Sequence, residues 1–272
     1  MDLQTLVRLA LQEDVGSGDV TTEACIDAES LSSGRVLAKQ RLIVAGQEAA
    51  VAVFTEMGVQ YEIVVPNGTA VEKGTVVGRV SGNARAVLTG ERLALNFLMR
   101  LSGIATTTRA HVDAAQGAFA VIDTRKTTPL HRTLEKAAVR AGGGQNHRFA
   151  LYDGVLIKDN HLKACGGVSE AVARARAAAH HLLAIEVEAD TLEQALEAAE
   201  AGADCVLLDN MDDDRLREAV AALKGKVRTE ASGNMTVERL VQLREKGICP
   251  DQVSIGGLIH QSRWVDLSLE FD

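Results

Sequence analysis

Two hydrophobic rhythms divide the chain. From about residue 115, short apolar runs alternate with amphipathic helical stretches. The runs are Phe119–Ile122, Val155–Ile157, Ala184–Val187, Cys205–Leu208, Lys226–Thr229 and Gln252–Ile255. Between them, Leu192, Ala195, Leu196 and Ala199 recur at i, i+3, i+4 and i+7, with Glu193, Glu197 and Glu200 facing out and Gly202 closing the helix. Val237, Leu240, Val241 and Arg244 begin another helix. Runs this short and this apolar, separated by helices, predict a parallel sheet buried on both faces. A closed or nearly closed barrel is the expected architecture. A doubly wound open sheet is the alternative, because six or seven strands are visible rather than eight.

The upstream part reads differently. Leu3, Leu6, Val7, Ala10 and Leu11 form a helical stripe, and residues 14–22 (DVGSGDVTT) read as a glycine-punctuated loop. Strands are predicted at Val36–Ala38, Leu42–Ala45, Tyr61–Val65, Thr69–Val71 and Val76–Val80. A long helix follows from about Ala84 to Asp113. The expected division is an α/β domain over residues 1–112 and a barrel over residues 113–263. The alternating tail from Trp264 should return to the first domain as a strand.

Polar residues gather where the downstream runs end. In order these are Asp123-Thr124-Arg125-Lys126, Lys158-Asp159-Asn160-His161, Glu186 with Glu188, Asp209-Asn210, Glu230 to Gly233, and Ser254 to Gly257. In a parallel barrel such strand ends ring one mouth, which is where chemistry is done.

Charge sharpens the picture. The 272 residues carry a net charge of −8 and only 3% aromatic residues, which argues against a general nucleic-acid surface. Four cations, Arg125, Lys126, Arg148 and Lys158, nonetheless crowd the central strand–loop units. Guanidinium forks and ammonium point charges suit a small anion bearing carboxylate or phosphate. Arg132, Lys136 and Arg140 fall along one helix flank and read as structural or rim residues. Glu186, Glu188 and Asp209 suit Mg²⁺, ribose hydroxyls or a developing positive charge, or simply pair with the lysines. Ser232-Gly233 and Gly256-Gly257 precede helices and suit phosphate. The glycines at 142–144 follow a helix, so they read as a stop and tight loop rather than a dinucleotide fingerprint. His147, His161 and His260 read as hydrogen-bond donors to an anion, because their spacing does not fit a zinc site. Cys25, Cys165, Cys205 and Cys249 are scattered, as reduced cytosolic thiols would be. Arg8, Glu13 and Asp14 interrupt the first apolar run, so no signal peptide is expected.

The blocks EDVGSGDVTT, ERLALNFLMRLSGIAT, DTRKTTP, GGGQNHR, LIKDNH, IEVEADTLEQA, AGADCVLLDNM, EASGNMT and VSIGGL occur in this order from residue 13 onward. Together they resemble the nicotinate-nucleotide pyrophosphorylase family, the decarboxylating quinolinate phosphoribosyltransferases of NAD biosynthesis. The resemblance implies an N-terminal α/β sandwich plus an incomplete, six- or seven-stranded TIM-like α/β barrel. It implies quinolinate and phosphoribosyl pyrophosphate as substrates, Mg²⁺ as cofactor, a cytoplasmic location and a homodimer with Arg92 reaching the partner's site. On its motifs, Thr124, Arg125, Lys126, His147, Arg148 and Lys158 fall in the quinolinate pocket. Glu188 and Asp209 lie near ribose and metal, and Ser232, Gly233, Gly256 and His260 near the sugar phosphate. Lys126, Lys158, Glu188 and Asp209 are its catalytic candidates. Leu130-His131 departs from the family's glycine after proline, Asn234 replaces a glycine, and Ile259-His260-Gln261 replaces Thr-His-Ser.

A transport-associated phosphoribosyltransferase-like relative is a close competitor, which the intact DTRKTTP, NHR and LIKDNH blocks oppose. A Schiff-base aldolase using Lys158 and a non-catalytic metabolite sensor on the same fold also compete.

Overall fold

The computed structural model describes residues 2–272. Helix α1 (Leu3–Val15) buries Leu6, Val7 and Leu11, and its N-terminus is capped by the Asp2 carboxylate. A second helix, α2 (Val20–Cys25), occupies part of the stretch expected to be loop. Asp19 is the reason, since its side chain accepts from Thr22 N–H and starts a helix within the glycine-punctuated segment. Then come β1 (Leu31–Ala38), β2 (Leu42–Ile43), α3 (Gln47–Glu56), β3 (Gln60–Ile63), β4 (Ala70–Val71), β5 (Val76–Asn83) and α4 (Ala84–Ala115). Periodicity does not predict helix α3. Its alanine- and valine-rich run is buried almost throughout, which hides a helical period.

The downstream elements are β6 (Ala120–Ile122), α5 (Arg132–Ala141), β7 (Val155–Ile157), α6 (Asp159–Cys165), α7 (Val168–Ala178), β8 (Ile185–Ala189), α8 (Leu192–Glu200), β9 (Cys205–Asp209), α9 (Asp213–Leu223), β10 (Arg228–Ser232), α10 (Val237–Glu245), β11 (Gln252–Ser254), α11 (Gly257–His260) and β12 (Leu267–Phe271). One predicted run is displaced. The strand expected at Lys226–Thr229 is β10, which carries Glu230 inside the strand rather than past its end. Burying a glutamate there requires partners that a hydrophobic pattern cannot reveal.

The chain divides into two compact units. The first comprises residues up to Arg109, with Thr128–Gly143 and Gln261–Asp272. The second comprises Ala110–Thr127 and Gly144–His260. Beside the N-terminal segment and the returning tail, the first unit also takes in α5. Arg100 on α4 pairs with the buried Glu135 of α5 at 2.8 Å, and a Cβ on Gly142 would meet Ala105 O at 2.5 Å. Gly142 is thus a packing glycine as well as a helix stop. Lys136 on the same helix is buried, not at a rim.

In the first unit, β12, β1, β5 and β3 form an antiparallel sheet in that order, and β2 pairs with β4. The tail therefore returns as a strand, with Val36 opposite Leu269. In the second unit, six parallel strands run in the order β6-β11-β10-β9-β8-β7. The strands first and second in sequence lie at opposite edges, so the sheet follows a barrel's order without closing.

Two departures noted in the sequence have clear backbone counterparts. Leu130 has φ 67° and Asn234 φ 48°, so both keep the left-handed conformation natural to glycine. Asparagine tolerates this readily, whereas Leu130 carries strain in an exposed turn.

Gly103 on α4 tests the packing of the first unit. A Cβ there would lie 2.1 Å from the Arg263 carbonyl oxygen. Gly103→Ala should lower stability by about 1–3 kcal/mol, read as a reduced urea midpoint at unchanged m-value.

Candidate active site

Strand pairing in the second unit lines one face of the sheet with polar groups. Glu188 pairs in register with Leu207, Leu207 with Glu230, and Glu230 with Gln252. Asp209 pairs with Ser232 one step nearer the strand ends. Side chains alternate along a strand, so Glu186 and Glu188 share this face, as do Glu230 and Ser232. The C-terminal ends then deliver Lys158, Glu188, Asp209 and Ser232 to one mouth.

Two layers follow along this face. The inner layer is a hydrogen-bonded core. Arg148 N–H donates to His147 Nδ1 at 2.7 Å, so Nε2 carries the ring proton and donates to Glu186 Oε2 at 2.8 Å. Gln252 Nε2 donates to Glu230 Oε2 at 2.6 Å. Burial pushes the Glu230 carboxyl up to about 8, and the charge of Glu186 pushes the same way. Burial also pushes Glu186 up, but hydrogen bonds from His147 and Glu230 outweigh it and hold that carboxyl below its ordinary value. The pair therefore carries one proton, on Glu230, which donates to Glu186. Burial, with both carboxyls nearby, pushes the Cys205 thiol up, so it is an inert neighbour.

His147, Glu186 and Glu230 place their ligand-type atoms within 4.8 Å of one another. The tautomer argues against a cation among them. A metal needs a lone pair on Nε2, and here that nitrogen bears the proton.

The outer layer is the mouth. Lys158 Nζ lies 3.3 Å from Glu188 Oε2, so the acid–lysine pairing weighed from the sequence does form. Arg148 donates to Gly154 O at 2.8 Å. Burial lowers the Arg148 pKa, and the neighbouring positive charge of Arg125 lowers it further. The two guanidinium groups are thus near enough to repel, and the Nε of each is buried without a hydrogen-bond partner. Lys126 reaches Gly256, where a Cβ would meet Lys126 Cδ at 2.8 Å and His260 Nε2 at 3.2 Å. Gly233, with φ 102°, lies against Asn210, so that any side chain there would collide with the Asn210 amide. Asp209 accepts from Asn210 at 2.7 Å.

Not every expected residue joins this group. Thr124 turns its Oγ1 to Lys126 N–H at 3.0 Å, shaping the loop. His161 accepts from Lys158 N–H at 2.9 Å through Nδ1 and caps α6, which leaves the ring proton on Nε2. His147 spends both ring nitrogens inside the protein. Arg92 is an exposed residue of α4 in the first unit. Sequence pattern alone gives no individual role to Asp123, Glu230 or Gln252. The available signal is the polar alternation Glu186-x-Glu188 and Glu230-x-Ser232 inside otherwise apolar strands.

Hard carboxylate oxygens on Glu188 and Asp209, from adjacent strands, fit a magnesium ion shared with a phosphorylated ligand. Lys158, half exposed, can release Glu188 for that role.

Models of the quinolinate phosphoribosyl transferase N-terminal and C-terminal domains match residues 19–102 and 104–270. A Bacillus subtilis protein named probable nicotinate-nucleotide pyrophosphorylase (carboxylating) is 41% identical across 99% of this chain and 93% of its own length. The structure of the nicotinate-nucleotide pyrophosphorylase from Francisella tularensis matches with a TM-score of 0.95 at 34% identity, covering 99% of this chain and 96% of that one. The NadC structure from Streptococcus pyogenes gives 0.94 at 40% identity, covering 98% and 95%.

The proton held by Glu230 predicts a pH signature. Its folded pKa, about 8, lies above the ordinary 4.5. The folded state binds the extra proton between these values, so this group's stabilisation is complete below about pH 4.5 and lost as pH rises through 8. Glu230→Gln should remove that loss. Urea unfolding from pH 5 to 9 should show wild type falling relative to the variant by about 4 kcal/mol. Parallel curves would mean that Glu230 is ionised throughout.

Proposed function

This chain belongs to the quinolinate phosphoribosyltransferase family, and we propose that its second unit joins quinolinate to the ribose of phosphoribosyl pyrophosphate, yielding nicotinate mononucleotide, pyrophosphate and CO₂. The observation that supports this reading is the set of charges at the strand ends: Arg125 close to Arg148, Lys126 against Gly256, and Lys158 paired with Glu188 on the strand next to that of Asp209.

Quinolinate is a planar pyridine with two adjacent carboxylates. Arg125, Lys126 and Arg148 offer the fork-shaped and point-charge donors that such a dianion needs. Fixing it there holds the ring nitrogen against ribose C1, which converts an encounter into a local displacement. The nitrogen's lone pair forms the new bond to C1 as the C1–O bond to pyrophosphate breaks. Positive charge develops on the ribose, and the carboxylates of Glu188 and Asp209 face it. Glu188 and Asp209 would hold Mg²⁺, which would supply neutralising charge for the leaving group. The ring nitrogen of the product is cationic. It accepts the electron pair left when the C2 carboxylate departs as CO₂, and C2 then takes a proton.

Ser232, Gly233, Gly256 and His260 are proposed to hold the sugar 5-phosphate. Gly233 and Gly256 are the positions where a side chain would collide with Asn210 or Lys126, so the loops there keep glycine. We further propose a homodimer in which Arg92 of the partner subunit completes each site. Exposed Leu9, Val20 and Leu31 in the first unit and Leu151, Tyr152 and Leu182 in the second offer apolar surface for such an interface. No helix among the described residues is long and apolar enough to cross a membrane. The action on a soluble phosphorylated metabolite fits a cytoplasmic enzyme.

Purified protein with Mg²⁺, phosphoribosyl pyrophosphate and quinolinate should release nicotinate mononucleotide and CO₂, with nicotinate a poor substitute. Absence of product from folded protein would exclude the reading in favour of a transport-associated relative or a sensor. Lys126→Ala and Arg148→Ala should each lower kcat/KM for quinolinate by at least about 100-fold, equivalent to roughly 2.7 kcal/mol. Near-normal KM in both would remove the assigned pocket. Arg92→Ala and Lys158→Ala, each poorly active, should recover activity when mixed and allowed to exchange subunits. No recovery despite exchange would rule out a shared site.

A further inference from the structure

Strand β6 is an edge of the parallel sheet, and the chain returns beside it through an isolated bridge between Ile122 and Gln145. Gln145 N–H donates to Val121 O at 2.8 Å, and Asp123 N–H donates to Gln145 O at 3.1 Å. Beyond that bridge, the side chain of Asp123 continues the link. Its Oδ1 accepts from His147 N–H at 2.8 Å, and its Oδ2 accepts from Asn146 Nδ2 at 2.6 Å. The residue is fully buried. Thr124, Arg125 and Lys126 directly follow it in the chain, and Arg148 directly follows His147. One buried carboxylate therefore ties together the two segments that carry three of the four mouth cations.

The chemistry requires an acid here. Both partners donate, and an amide would set an NH₂ group against one of them. Charge-assisted bonds of this kind are short and hold geometry well. Geometry needs holding, because Arg125 and Arg148 repel each other and an unclamped loop would let them drift apart.

We propose that Asp123 is a positioning residue that fixes the spacing between the Arg125–Lys126 and Arg148 cations, and that this spacing selects a substrate with two adjacent carboxylates over one with a single carboxylate. The proposal rests on reading the mouth as the quinolinate pocket. A rigid dianion has one separation between its carboxylates, so it is sensitive to cation spacing. A monocarboxylate can follow either cation group and is not.

The test uses the full chain with Asp123→Ala, assayed with quinolinate and phosphoribosyl pyrophosphate, with nicotinate as competitor. The expected result is a rise of at least thirty-fold in the KM for quinolinate, with the KM for phosphoribosyl pyrophosphate and the inhibition constant of nicotinate each within three-fold. In calorimetric binding, adding Asp123→Ala to Arg148→Ala should change quinolinate affinity by less than three-fold, because the clamp acts through Arg148. Equal losses for all three ligands, or full additivity with Arg148→Ala, would overturn the proposal. If Asp123→Ala fails to fold, Asn146→Ala removes the Asn146 bond and keeps the one from His147 N–H, and should raise the quinolinate KM about five-fold. An unchanged KM there overturns the proposal as well. A wild type inactive with quinolinate would sink the reading of the pocket itself, whereas an active wild type with indifferent Asp123 and Asn146 variants would sink this inference alone.

Discussion

Two carboxyl groups, Glu186 and Glu230, share the interior of the parallel sheet, where solvent cannot screen them. A second negative charge at that depth costs several kcal/mol, so one proton stays with the pair. That constraint orders what lies nearer the mouth. The ionised Glu186 orients His147, the His147 ring accepts the Arg148 amide, and Arg148 is thereby held beside Arg125. A binding site for a dianion is thus built over a hydrogen-bonded core whose own charge is reduced to one. Hydrophobic replacement of the core would keep the sheet but lose the orientation of the loop that carries Arg148.

Main-chain conformation supports the same arrangement from the rim. Asn210 and Asn234 both adopt left-handed backbone next to Gly233, and Asn210 fills the space that a side chain at Gly233 would need. The turn after β10 is therefore shaped by one glycine and two asparagines acting together. Leu130 is the contrasting case. It keeps a glycine-like φ in an exposed turn, and buried Glu135 holds that turn by accepting from Thr128 N–H and Oγ1, both at 2.8 Å. A local strain of about 1 kcal/mol is tolerable where a buried, fourfold-engaged carboxylate fixes both sides.

Most of this was legible in the sequence where periodicity carried it. The strand–helix alternation, the returning tail, and the polar strand ends from Lys158 to Asp209 all follow from burial on a pleated surface. The failures share one physical origin. Within Gln47–Glu56 the central run from Ala49 to Phe54 is apolar at every position and nearly all buried, so apolar period disappears. Strand β10 is polar at Thr229 and Glu230, so the predicted run stops short of Glu230 and Ser232. Asp123, Glu135 and Lys136 are charged residues that fold inward to partners distant in sequence. A single sequence shows which side chains are charged but not which of them have found enough partners to be buried. His147 shows the complementary difficulty, because it looks like a ligand donor and the structure engages Nδ1 with the Arg148 N–H and Nε2 with Glu186.

The ion pair between Lys158 and Glu188 shows how the mouth can be both stable and available. At 3.3 Å the pair satisfies both charges, yet the lysine side chain is 50% exposed. Pairs with that much solvent contribute at most about 1 kcal/mol. A substrate carboxylate or a phosphate-bound cation can therefore separate them at small cost and gain interactions with each. The deeper pair of Glu186 with His147 is mostly shielded, with side chains 10% and 12% exposed, and resists such exchange. Exposure thus separates two layers of otherwise similar residues. The outer charges exchange partners with the ligand, while the inner ones keep theirs and fix where that exchange takes place.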